Sequence, residues 1–141
     1  MTLHDYIVGL DERLLVGRFH GFWVRMTFDL MGTMGPETDP DLERLSTALM
    51  GYAEAPDTPA GTVRDIRSAI VHLRGPGFWR DNSVLGRKYR CLNAIASSRE
   101  ENEADVYNWA YGITTALDLI GDGDGDAIIA AVRSGLEERG A

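Results

Sequence analysis

Apolar residues recur along most of this chain at intervals of three and four, the spacing that lines up side chains on one face of a helix. In the second half, Val106, Ala110, Ile113, Leu117 and Ile120 follow this rule, and one segment earlier so do Leu85, Tyr89, Leu92 and Ala96, with Ile95 widening the stripe. These two segments, 83–97 and 100–120, predict consecutive core-facing helices around which the rest packs. Ser98 and Glu101 stand at capping-box spacing for the second, and Asn82 or Ser83 can cap the first.

The same reading places four further helices. Thr2, three residues before Asp5, can cap a first helix whose stripe is Leu3, Ile7, Leu10 and Leu14, and Leu15, Phe19, Phe22, Met26 and Leu30 continue it. A rival pattern lies over residues 19–31. Phe22, Val24, Met26, Phe28 and Leu30 alternate with Trp23, Arg25, Thr27 and Asp29 as in a half-buried strand. Helix is preferred because a lone strand would have no partner, with a break expected near Gly17–Gly21. Asp39–Pro40 opens the next helix, with Asp41 and Glu43 in its first turn and Leu42, Leu45, Leu49 and Tyr52 facing inward. Val63, Ile66, Ile70 and Leu73 form the buried face of another, stopped by Gly75–Pro76–Gly77. After the acidic run GDGDGD, a last helix turns Ile128, Val132 and Leu136 inward. The expected fold is all-α: one domain over residues 1–141, an irregular bundle of about six helices.

Length and composition agree. A chain of 141 residues, 44% hydrophobic and 26% charged, has the make-up of one soluble domain. No apolar run reaches the ~18–20 residues that span a bilayer, and the N-terminus lacks the basic start of a secretory signal. A lone cysteine, Cys91, cannot form an internal disulfide, which leads us to expect a cytoplasmic protein.

Charge changes the picture. Residues 1–99 carry 12 acidic and 12 basic groups, whereas residues 100–141 carry 10 acidic and 2 basic, so the net charge of −8 belongs to the last third. Within the neutral part, residues 64–99 hold eight cations against Asp65 and Asp81. The overall negative charge opposes binding of a polyanion, so nucleic acid is not an expected partner.

The candidate chemistry sits where these blocks meet. Residues 74–90, RGPGFWRDNSVLGRKYR, interleave Phe78, Trp79 and Tyr89 with Arg74, Arg80, Arg87, Lys88 and Arg90. Such a mixture can hold an anionic or ring-bearing ligand, or dock a protein; the plainer account is internal pairing with the acidic helix that follows. The acids Glu100, Glu101, Glu103 and Asp105 can enter a basic groove on another protein. GDGDGD offers Asp122, Asp124 and Asp126 at the first three ligand positions of a calcium loop. Ala127 replaces its glycine, however, and Arg133 stands where the bidentate glutamate belongs, so a flexible turn with Asp126 capping the last helix is preferred. The histidines His4, His20 and His72 include no pair at helical metal spacing. Cys91 lies near Lys88 and Arg90, cations that can activate a thiol, but a small buried residue is the simpler reading.

No nucleotide-binding, hydrolase or metalloprotease motif is present. The expected function is therefore a small acidic intracellular regulator of the inhibitor, immunity or antitoxin kind. It would bind a protein partner through its charged C-terminal half and the 78–90 stretch, without a cofactor or metal. The alternative is a helical enzyme or small-molecule binder whose inter-helix pocket, lined by His20, Trp23 and His72 together with Trp79 and Arg80, takes an anionic or aromatic ligand.

Overall fold

A computed structural model describes residues 1–15, 19–54, 60–100 and 106–140, and their side chains other than those of 20, 52–54, 60–63, 97–100 and 106–110. Among the described residues every regular element is helical and there is no strand. Seven α-helices follow one another: α1 (Leu3–Val8), α2 (His20–Gly32), α3 (Pro40–Glu54), α4 (Ala60–Arg74), α5 (Val84–Glu100), α6 (Val106–Gly121) and α7 (Gly125–Glu138). Short 3-10 turns occupy Glu12–Leu14 and Phe78–Arg80.

The first stretch divides earlier than its apolar pattern suggests, which raises the count from about six to seven. Thr2 caps α1 as expected, its hydroxyl accepting from the Asp5 amide at 3.0 Å, but α1 ends at Val8. Asp11 then caps the first 3-10 turn, accepting from the Arg13 amide at 3.1 Å. The two-way pattern over 19–31 resolves as helix. Phe19, Trp23, Thr27 and Met31, each four apart, are buried together with Phe22 and Val24, while Met26, Phe28 and Leu30 are only half-buried. Trp23 is sealed in, its indole N–H donating to the Leu14 carbonyl at 2.6 Å and so tying the 3-10 turn to α2.

Helix α3 begins as its sequence demands: Asp39 Oδ1 accepts from the Leu42 amide at 2.7 Å, and Leu42, Leu45 and Leu49 face the core. In α4, Ile66 and Ile70 are buried, but Leu73 is 41% exposed. It stands one residue before the end of the helix, in a last turn where Val71 and His72 are exposed as well. Among the described residues, helices α5 and α6 form the most extensive pairing, and α4 also packs on α5. Tyr89, Leu92, Ile95 and Ala96 of α5 meet Ile113, Ala116, Leu117 and Ile120 of α6 in one continuous core. The capping box expected at Ser98 and Glu101 lies outside the described residues.

Helix α7 closes the bundle with Ile128, Ile129, Val132 and Leu136. Its cap is Asp124, accepting from the Ala127 amide at 3.1 Å. Asp126, the expected cap, instead sits in the first turn, where its charge favours the helix dipole. No described helix is long and apolar enough to cross a membrane.

Candidate functional site

The stretch from Arg74 to Arg90 runs from the last residue of α4, through the Phe78–Arg80 turn, to the middle of α5. Ser83 caps α5 by accepting from the Gly86 amide at 3.0 Å. Asp81 lies over this first turn. One of its oxygens accepts from the Ser83 amide at 3.0 Å, and the other takes the Arg74 guanidinium at 2.8 Å. Only glycine at position 86 leaves room for that carboxylate: a Cβ there would overlap Asp81 Cγ and stand 2.5 and 2.6 Å from the two oxygens. The Ser83 hydroxyl and amide, helped by Arg74 and against a small opposing effect of burial, hold the Asp81 carboxyl below its ordinary range.

Arg74 also covers the Tyr89 ring, with its guanidinium carbon 4.9 Å from the ring centroid. The Tyr89 hydroxyl donates to Asp39 Oδ1 at 2.6 Å. Burial and the adjoining Asp39 carboxylate push the Tyr89 hydroxyl upward, so it acts as a permanent donor. Burial works against the Asp39 charge. The Tyr89 and Leu42 hydrogen bonds and the Arg74 charge outweigh it, and the Asp39 carboxyl is held low. A single polar chain, Asp39–Tyr89–Arg74–Asp81–Ser83, thus ties the starts of α3 and α5 to the end of α4.

The remaining cations of the stretch, Arg80 apart, also have partners within the chain. Lys88 is turned inward, only 6% exposed, with Nζ donating to the carbonyls of Gly35 and Glu37 at 2.7 Å each. Arg90 donates to Asn82 Oδ1 at 2.9 Å. Arg87 reaches the C-terminal end of α6, 3.4 Å from the Leu119 carbonyl and 3.5 Å from the exposed Asp122 carboxylate. Internal pairing of this block therefore exists, and among the described residues Arg87 makes it with the end of α6 and the loop that follows. Arg74, Lys88 and Arg90 pair instead with the connector and with the loop before α3.

Trp79 and Arg80 stand apart from this network. Trp79 is 54% exposed, and the Arg80 guanidinium is stacked 4.4 Å from its ring centroid. Phe78, beside them, is half-buried against the core and anchors the turn.

The other candidates disperse. Trp23 is fully buried, and His72 is exposed on the outer side of α4 in a shallow groove with Arg64, Arg67, Ser68 and Val71, so the two line no common pocket. The side chains of His20 and Glu100, and residues Glu101, Glu103 and Asp105, lie outside the described residues. In the GDGDGD loop, Asp122 turns toward Arg87 and Asp124 caps α7. Among the described residues no three His, Cys, Asp or Glu side chains converge as metal ligands. Cys91 is fully buried, its thiol 3.4 Å from the Ala116 carbonyl. Burial pushes that thiol up to about 12 despite the pull of Arg90 and Arg87, leaving no thiolate at neutral pH.

Compared with family models, with curated proteins and with solved structures, the chain matches none.

Proposed function

We propose that this chain is a small acidic interaction module that binds a protein partner through the connector between α4 and α5, with Trp79 and Arg80 as the central contact. The observation that supports this reading is the exposed Trp79–Arg80 stack on a turn held firm from both sides, by Phe78 in the core and by Asp81 under Arg74. Tryptophan and arginine dominate binding energy at protein interfaces, most of all where they are already ordered before the partner arrives. Chemistry inside the chain has less support, since the one cysteine is buried and held protonated.

The carboxylates of the last third extend the contact to a cationic surface on the partner, and a regulatory or inhibitory role in the cytoplasm suits a small module of this kind. Wild-type protein and the Trp79→Ala and Arg80→Glu variants, used as bait in host lysate at low and at high salt, provide the test. A stoichiometric complex lost in both variants, at unchanged melting temperature, is the expected result. Complexes that survive both substitutions, or no complex at low salt, would overturn the assignment.

A further inference from the structure

A lysine with only 6% of its surface exposed is uncommon unless a carboxylate accompanies it, because burying an unbalanced charge costs several kcal/mol. Lys88 has no such partner within salt-bridge distance among the described residues. Two of its three N–H groups donate to the Gly35 and Glu37 carbonyls, which satisfies hydrogen bonding in part and leaves one N–H without an acceptor among the described residues.

Lys88 also lines a cleft of about 430 Å³ between α2 and α3. The buried residues Met31, Leu42 and Lys88 make its inner wall, half-buried Phe28 flanks them, Ser46 and Thr47 bring hydroxyls, and the exposed Glu43 adds a carboxylate to the lining. A largely apolar cleft with one buried cation, a few hydroxyls and a single exposed carboxylate matches the general make-up of a small-molecule site.

We propose that this cleft binds a small monocarboxylate with a short apolar tail. The carboxylate takes the remaining N–H of Lys88 and neutralises its charge, and the tail lies against Phe28, Met31 and Leu42. The site is separate from the Trp79–Arg80 contact, and neither reading depends on the other.

Hexanoate is the probe and hexanol its uncharged control, each titrated into full-length, isotope-labelled protein and followed by NMR. Hexanoate should shift the signals of Met31, Leu42 and Lys88 and bind at least about tenfold more tightly than hexanol, as one charge-assisted hydrogen bond implies. Lys88→Met should remove that preference. Because this variant could fail to fold, Gly32→Leu gives an independent reading. Gly32 lines the cleft, and a Cβ added there meets nothing within 4 Å, so a leucine should fill the cleft, leave the fold intact and abolish hexanoate binding. Equal affinity for hexanol, hexanoate binding retained in Gly32→Leu, or no shift at the three residues would each overturn the proposal.

Discussion

Replacing Gly86 with alanine should destabilise the protein, although helix propensity alone argues for the opposite. Gly86 lies in the first turn of α5, where alanine is favoured over glycine by up to about 1 kcal/mol. Against this, the new methyl group would occupy the place of the Asp81 carboxylate. Asp81 would have to swing away, losing its 2.8 Å contact with Arg74 and its bond to the Ser83 amide. A charge-assisted hydrogen bond is worth roughly 1.5–3 kcal/mol and a neutral donor about 1 kcal/mol. The side chains of Arg74 and Asp81 are 25% and 33% exposed, so the lower end applies. The net loss is then about 1–2 kcal/mol, a fall of about 3–8 °C in melting temperature for a domain of this size.

Urea and thermal unfolding of wild type, Gly86→Ala, Asp81→Ala and the double variant would measure it. Once Asp81 is absent, Gly86→Ala should be neutral or mildly stabilising, giving a coupling of about 1–3 kcal/mol between the two positions. A Gly86→Ala protein as stable as wild type, or more so, would refute the packing argument and with it the structural role of Asp81.

Two further outcomes follow from the same geometry. The Asp39 and Asp81 carboxyls are both held below their ordinary range, so the stability they contribute is present above the unfolded value near pH 3.9 and fades as pH falls through the depressed folded values. Asp39→Asn and Asp81→Asn should each flatten the acid side of the stability–pH curve from urea midpoints; a slope identical to wild type would contradict this. Cys91, buried and with its thiol raised to about 12, should react with a disulfide reagent at pH 8 only as fast as the protein unfolds. Labelling at the rate of a free thiol would mean that the α5–α6 seam opens readily.

What could be read from sequence was whatever depends on neighbours within a turn or two. The stripes Leu42–Leu45–Leu49 and Ile113–Leu117–Ile120, and the caps Thr2, Asp39 and Ser83, were legible because helix geometry alone connects their spacing to burial. The Asp124 cap was misplaced by two residues because the Asp-Gly repeat presents the same local pattern three times. Leu73 shares the spacing of the buried face but is exposed in the last turn of α4, which spacing alone could not show. The burial of Lys88 was not legible: in a row of cations it resembles a solvated residue, and the loop at Gly35–Glu37, far away in sequence, draws it inside. The Asp39–Tyr89–Arg74–Asp81 chain was hidden for the same reason, since three helices must meet before it exists.

The long reach of Lys88 and Tyr89 also bears on the order of folding. Adjacent on α5, they grip Gly35, Glu37 and Asp39 across separations of 50 to 53 residues, whereas most of this helical fold is built from local contacts. Closing a loop of that length costs on the order of 3–4 kcal/mol in chain entropy before any bond compensates for it. This grip should therefore form late, after α5 has joined α6, and let go early when the protein unfolds. Weakening it should appear in a chevron plot as faster unfolding with little change in folding rate. The start of α3 would then be the last part of the bundle to settle.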